Sequence, residues 1–445
     1  MFGILRNAWK IADIRKKILF TLFALIVFRF GSVIPVPFIN ADMLAAMFSG
    51  QGSTIFGLFD ALSGGSFSQA TIFALSIQPY INASIIVQLL TIAIPALERM
   101  AKEGGEEGRR KQAAIVRYVT IALALLLGFA YYVTLRNSSA LTDTSLFAGI
   151  IIILSFTAGS AFIMWLGEQI TEKGIGNGIS MILFAGIVAR GPALVRGMIS
   201  LFQTPSIVQT EETVSLIWST KSIALGSLYV GAILAVSLLL LAFVVFVDDA
   251  ERRIPIQYAK RMVGRKMMGG RGTHLPIKVN MSGVMPVIFA SSFVSLPATI
   301  AAFFNPTPGT FWHNFANVWF GPTTIAYAII YFLFILFFSY FYAAIQVNPV
   351  EISNNLKKNG GFIPGFRPGK PTSDFISRVV NKVTLFGALF LSVIALLPII
   401  LGNFIPVANL AIGGTSLLIV VGVALETVKQ LESQMMMRNY KGFLE

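Results

Sequence analysis

Long apolar runs alternate with shorter polar segments along most of the chain. Crossing the hydrocarbon core of a bilayer takes about 20 apolar residues in a helix. We predict ten transmembrane helices, called spans one to ten, at residues 18–37, 72–94, 114–135, 146–166, 179–189, 223–247, 283–304, 323–347, 383–401 and 412–431. The pattern predicts an all-α polytopic membrane protein.

The composition supports this prediction. Hydrophobic residues make up 55% of the chain and charged residues only 12%, whereas soluble domains contain about 25% charged residues. The mean hydropathy is +0.76. The sequence has no cysteine, which excludes disulfides and thiolate metal sites. The two histidines, His274 and His313, are far apart in the sequence and do not have the spacing of metal ligands. Without paired carboxylates or a nucleophile–base motif, we expect no metal, no cofactor and no enzymatic activity.

Span two is unusually polar for a membrane helix. Gln78, Pro79, Asn82, Ser84 and Gln88 lie in its middle. Polar groups in hydrocarbon are costly unless they face protein or water, so this helix is predicted to line a wet interior. Pro79 lacks a backbone donor and is expected to kink the helix.

An apolar segment that is too short to span, residues 55–69, directly precedes span two. It is either a stopper beside the water-lining helix or a tight external loop folded on the bundle, and the pattern alone leaves both possibilities open. Its characteristic residues are Ile55, Phe56, Leu58, Phe59, Leu62, Gly64, Gly65 and Phe67.

The positive charges are distributed unevenly between the two predicted sides. If the N-terminus is inside, the Lys and Arg residues lie in inner segments except for Arg29, Arg136, Arg190, Arg196 and Lys221. This bias follows the positive-inside rule and places both termini in the cytoplasm. Residues 1–17 form either an amphipathic surface helix or a basic flank that fixes orientation, and residues 432–445 form a cytoplasmic tail.

Ten spans suggest two halves of five, residues 18–201 and 223–431, joined by an external connection at residues 202–222. An odd number of spans in each half makes the second half inverted. Spans interrupted by Gly or Pro at matching positions indicate the working site of such folds. Span two has Pro79, and span seven has Gly283, Pro286 and Pro297.

Two long inner loops, residues 248–282 and 348–378, are rich in basic residues. Such loops either bind an anionic partner, protein or RNA, or serve only to fix the topology. A ten-span small-solute transporter is the alternative class. It would require ionisable residues near the middle of the membrane, and almost no charge lies within a predicted span.

Several long motifs resemble those of the SecY family, the channel subunit of the Sec protein translocase, in the same order along the chain. These motifs are QPYINAS at residues 78–84, MWLGEQIT at 164–171, GIGNGIS at 174–180, THLPIKVN at 273–280, NNLKK at 354–358, IPGFRPG at 363–369 and GGTSLLIVV at 413–421. The resemblance looks bacterial. It implies an hourglass pore between two inverted five-helix halves, with a plug, a lateral gate and a constriction ring.

The resemblance also assigns residues to these parts. Residues 55–69 match the plug, and Gln88 and Asn280 fall at positions facing the lateral gate, where they are expected to hydrogen-bond across the closed gate. Arg265, Lys266 and Arg367 match positions that dock the motor or the ribosome. The ring positions are Ile77, Ile81, Leu183, Ile288 and Ile419; the family more often has Ile where this chain has Leu183.

The function implied by the resemblance is a channel that moves secretory polypeptides across the plasma membrane and releases membrane segments laterally into lipid. The implied partners are the SecE and SecG subunits, the SecA ATPase, ribosomes, unfolded precursors with their signal sequences, and membrane lipids.

Overall fold

A computed structural model describes most of the chain. The described residues are 2–40, 43–44, 60, 63–138, 140–192, 195, 223–258, 261–263, 266–268, 272–304, 310–311, 315, 319–321, 324–404 and 414–441. Several predicted features lie outside them: the plug residues Ile55, Phe56, Leu58, Phe59 and Leu62, the external connection 202–222, Arg265 and the end of the C-terminal tail.

The described part of the first half is helical. Its helices are α1 (Phe2–Lys10), α2 (Ala12–Gly31), α3 (Gln78–Ala93), α4 (Pro95–Glu103), α5 (Gly105–Asn137), α6 (Leu146–Lys173) and α7 (Gly178–Ala189).

The second half combines helices with short strands. Its elements are α8 (Ile223–Asp249), β1 (Glu251–Tyr258), β2 (Arg261–Val263), β3 (Lys266–Met268), β4 (Gly272–Lys278), α9 (Met285–Phe304), α10 (Ile325–Gln346), α11 (Pro349–Lys358), β5 (Gly361–Phe362), α12 (Lys370–Phe404) and α13 (Gly414–Lys441).

Among the described residues, four helices are long and apolar enough to cross a membrane. They begin at Gly105, Leu146, Ile325 and Lys370, and shorter apolar helices lie at Gly178–Ala189 and Met285–Pro297. These helices agree with a multi-pass membrane protein, while the count of ten spans stays a prediction.

Span two begins later than predicted. Residues 71–77 form turns, with Ser76 at a φ of +50°, and α3 begins only at Gln78, with Pro79 in its first turn. Proline is well tolerated there, because the first backbone N–H groups of a helix have no partner within the helix. The expectation that Pro79 kinks the helix was therefore wrong; Pro79 lies at its start.

The two long basic loops, which are predicted to lie on the inner side, fold together. β1 pairs antiparallel with β4 of the same loop and with β5 of the other loop. Ile254 of β1 and Ile277 of β4 share one buried cluster with Leu356 of α11 and Ile376 of α12. Since α12 already begins at Lys370, the predicted loop 348–378 is largely ordered structure, and the strands add a small sheet to the helical fold.

The main hydrophobic core is shared by the two halves. Its buried residues come from α2, α3, α6 and α7 of the first half and from α8, α9, α10, α12 and α13 of the second. At the interface, α9 packs against α3 and α5, and α13 packs against α7. A second contact joins the chain ends, because Ala8 of α1 clusters with Leu431 of α13 and with Ile175.

Candidate functional site

The five predicted ring residues are all buried in the main hydrophobic core. Ile77 caps the N-terminus of α3 and Ile81 lies in its first turn, while Leu183, Ile288 and Ile419 come from α7, α9 and α13. All five are at most 8% exposed and belong to one cluster of buried hydrophobic residues. The structure thus brings these five residues, from four helices of both halves, into one apolar cluster.

The end of the predicted plug packs tightly against α7. Gly64 and Gly65 both have positive φ, +71° and +90°, a conformation that L side chains rarely adopt. A Cβ atom on Gly64 would lie only 2.7 Å from the carbonyl oxygen of Gly186. Glycine is therefore favoured by conformation at both positions, and at position 64 the close approach to Gly186 also leaves no room for a side chain.

The same segment is anchored on α5 by an aromatic contact. The Tyr131 hydroxyl donates a hydrogen bond of 2.6 Å to the carbonyl oxygen of Phe67, and the two rings stack with their centroids 4.5 Å apart. Phe156 of α6 packs on the other side of Tyr131, at 5.1 Å. Phe67 is therefore fixed to the bundle at the point where the segment turns toward α3.

An ion pair that the sequence analysis did not assign lies beside this segment. Asp60 Oδ2 is 3.2 Å from Nη2 of Arg190, the residue that follows α7, and Asp60 Oδ1 accepts a 2.8 Å hydrogen bond from the Ser68 backbone. Arg29 Nη1 of α2 donates to the Gly64 carbonyl at 3.4 Å. One signal was present in the sequence: a single acidic residue in an otherwise apolar segment, with few cations on the outer side.

The predicted gate residues do not pair with each other. Asn280 Nδ2 donates to Asp248 Oδ1 at 2.8 Å. Gln88 Oε1 is buried and has no hydrogen-bond partner among the described residues. The expected hydrogen bond between Gln88 and Asn280 is therefore not formed, because the Asn280 amide bonds to Asp248 of α8 instead.

A different polar pair, Gln78 and Ser292, joins α3 to α9. Gln78 Nε2 of α3 donates to the buried Ser292 Oγ of α9 at 3.1 Å. Gln78 was among the polar residues noted in span two, but its partner was not identifiable, because span seven contains several serines and the sequence does not specify which of them faces α3.

The predicted docking residues differ in how far the structure describes them. Arg367 is exposed on a loop whose backbone is held by side chains: Thr372 donates to the Arg367 carbonyl at 2.8 Å, and the Phe366 and Phe375 rings stack at 4.3 Å. Lys266 lies in β3, which pairs with β2, and Arg265 is outside the described residues.

The apolar helices and the core shared by the two halves define a multi-pass helical membrane protein. The SecY family model matches residues 71–428. The protein translocase subunit SecY of Bacillus subtilis (strain 168) is 46% identical over 452 residues and is covered, like this chain, over 100% of its length. That of Streptomyces galbus is 44% identical over 463 residues, again with 100% of both chains covered. The chain belongs to the SecY family.

Solved structures show the same fold. A protein-conducting channel matches with a TM-score of 0.63 at 19% identity, over 95% of this chain and 92% of that chain. A SecY structure concerned with the plug domain and the closed state matches with a TM-score of 0.60 at 18% sequence identity. The Sec61 channel of a canine ribosome–channel complex matches with a TM-score of 0.59 at 17% identity. Both matches cover 95% of this chain and 92% of the other chain. The prediction of a protein-conducting channel is confirmed, and the small-solute transporter alternative is not supported.

Proposed function

We propose that this chain is the pore-forming subunit of a translocase that moves secretory polypeptides across the bacterial plasma membrane and releases membrane segments sideways into lipid. The match to the SecY family model over residues 71–428 carries this proposal, and the burial of all five ring positions in the core shared by the two halves supports it. The chain itself is not an enzyme; energy comes from a partner ATPase, from the ribosome or from the proton-motive force.

A disulfide test uses the absence of native cysteine. One cysteine replaces Ile81 and another lies midway along a secretory precursor that is stalled during transport. After the motor and ATP are added and the sample is oxidised, we expect a disulfide that depends on both. Leu154 of α6, which is 55% exposed, is the matched lipid-facing control. Links at Leu154 with none at Ile81 would mean that the polypeptide does not pass through the ring.

The ring residues form the seal of the resting pore. Branched apolar side chains exclude water and ions by dewetting, and they can deform around a passing polypeptide without making specific contacts. Leu183 is as apolar as the isoleucines around it, so its presence at one ring position is compatible with this seal.

Residues 55–69 act as the plug, and α3 with α9 forms the lateral gate. The close approach of Gly64 to Gly186 supports the first role. For the gate, the Gln78–Ser292 hydrogen bond is a direct polar contact across the seam between the two helices. Gln88 belongs to the gate as a residue of α3, and Asn280 belongs to it through its hydrogen bond with Asp248 of α8.

The sheet and loops on the cytoplasmic side dock the partners that drive transport. The exposed guanidinium of Arg367, on a loop with a fixed backbone, suits an anionic partner, and Arg265 and Lys266 add positive charge in the other loop. The proposed partners are the SecA ATPase, the ribosome, the SecE and SecG subunits, precursors with their signal sequences, and lipids. Both termini are cytoplasmic, as the distribution of Lys and Arg supports.

A further inference from the structure

The Asp60 carboxylate is largely withdrawn from water and uses both oxygens. The Asp60 side chain is 11% exposed, and that of its partner Arg190 is 38% exposed. One oxygen faces the Arg190 guanidinium and the other accepts the Ser68 backbone N–H. A shielded carboxylate is costly unless it is paired and hydrogen-bonded. The position of Asp60 in the structure therefore depends on Arg190.

One face of α7 links the ring to this ion pair. Leu183, Gly186 and Arg190 are spaced i, i+3 and i+7, which places them on one side of the helix, and Arg190 follows Leu183 by about 10.5 Å along the axis. Leu183 lies in the ring cluster, Gly186 meets Gly64, and Arg190 meets Asp60. This face of α7 therefore includes one ring residue, Leu183, and contacts the plug segment at two residues, Gly186 and Arg190.

A second outer cation holds the same segment from another helix. Arg29, in the last turn of α2, donates to the Gly64 carbonyl. The segment is itself a compact turn, because the Asp60 carbonyl accepts hydrogen bonds from Gly65 N at 2.9 Å and from Ser63 Oγ at 3.2 Å. Arg29 and Arg190 are two of the few cations on the predicted outer side, and both hold the segment that contains Asp60 and Gly64.

We propose that Asp60 and Arg190 form an ionic latch that holds the plug against α7, with Arg29 as a second positioning residue. This inference rests on the proposed role of residues 55–69 as the plug. To leave the pore, the plug must separate Asp60 from Arg190. Since Arg190 is already partly hydrated and Asp60 would become so, separation is reversible and the latch can close again after transport.

Conductance of the reconstituted channel complex in planar bilayers tests the latch. Asp60→Asn keeps the shape and an oxygen for the Ser68 N–H but removes the charge, and Arg190→Gln removes the partner. We expect each variant to raise the open fraction of the resting channel about tenfold, which corresponds to about 1.4 kcal/mol. The double variant should show no more leak than either single variant, because both remove one interaction.

Three comparisons separate the ion pair from a general structural effect. Arg136→Gln removes another outer cation, in the last turn of α5, and should leave the leak unchanged. Arg190→Lys keeps the charge and should restore most of the closure. Because a partly buried pair is screened much less than an exposed one, raising the salt from about 0.1 to 1 M should change the leak of the native channel less than either single substitution does.

The outcomes distinguish the latch from the plug assignment. If deleting residues 55–69 raises the leak but both single variants of correctly assembled complex match the native channel, the latch is refuted and the plug stands. Additive effects of the two single variants would also refute the pairing. If the deletion itself leaves the leak unchanged, the plug assignment fails and the latch fails with it.

Discussion

Replacing Ser292 with Ala tests the hydrogen bond across the proposed gate. The Ser292 hydroxyl accepts from Gln78 Nε2 at 3.1 Å, and this bond joins α3 to α9. The substitution removes one hydroxyl from a buried position and leaves the Gln78 amide without this acceptor while the gate is closed. In an open gate the amide can bind water instead. The substitution should therefore destabilise the closed state relative to the open state.

The size of the effect follows from the burial of the two groups. Hydrogen bonds between membrane helices contribute about 0.6 kcal/mol on average and at most about 1.7. Gln78 is only partly buried, so water reaches it in part and the full cost of an unsatisfied polar group, about 1–3 kcal/mol, does not apply. We expect about 1 kcal/mol, which is roughly a fivefold shift of the gate toward the open state.

The assay is export of a precursor whose signal sequence is defective and therefore opens the gate poorly. Ser292→Ala should raise its export about fivefold while leaving export with an intact signal almost unchanged. Ser291→Ala is the matched control, because the Ser291 hydroxyl bonds to the Ile288 carbonyl of its own helix. Equal effects of the two substitutions, or no effect of Ser292→Ala at unchanged protein levels, would refute the gate assignment of this bond.

Four further perturbations test the remaining assignments. Deleting residues 55–69 should increase the ion leak of the resting channel in planar bilayers, and an unchanged conductance would contradict the plug assignment. Replacing Ile81 and Ile288 with Gly should widen the ring and raise both the leak and the size limit for cargo; unaltered values would mean that these residues only pack the core. Arg367→Glu should impair SecA-driven translocation more than it affects resting closure, and normal SecA-dependent transport would exclude Arg367 from docking. Gln88→Leu removes a buried oxygen that has no partner among the described residues, so it should stabilise the closed gate and reduce export of a defective-signal precursor; increased export would contradict this reasoning.

The apolar pattern predicted the helices well because burial in lipid imposes a length on each span. The predicted start of span five, residue 179, lies one residue from the start of α7 at Gly178. Several boundaries were less accurate. The helix of span one, α2, occupies Ala12–Gly31 instead of residues 18–37, α3 begins at Gln78 instead of residue 72, and α12 begins at Lys370, in a segment that the charges assigned to a loop. The buried face of α12 packs against residues of β1 and β4, a contact that hydropathy along one segment does not reveal.

The residues of the candidate site that match family motifs could be predicted from the sequence. The five ring positions were assigned from the resemblance, and the structure places all of them in one cluster. The polar pairs were not predictable, since a hydrogen bond depends on which of several candidates faces the other helix. Gln88 lies ten residues after Gln78, and only the structure shows that the latter meets α9.

The proposed gate hydrogen bond and the proposed ionic latch are each weak, and in the proposed function this allows a signal sequence to open the channel. An h-region contains about 7–15 apolar residues, and each Leu-like residue favours the membrane by about 0.3–0.6 kcal/mol. A typical h-region of about ten residues thus supplies about 3–6 kcal/mol. That exceeds a gate hydrogen bond of about 1 kcal/mol together with an ionic latch of similar size. A defective signal that loses several apolar residues falls below this sum, so weakening either the Gln78–Ser292 bond or the Asp60–Arg190 pair should restore its export. Because the two contacts lie on different helices, their effects on such a precursor should add.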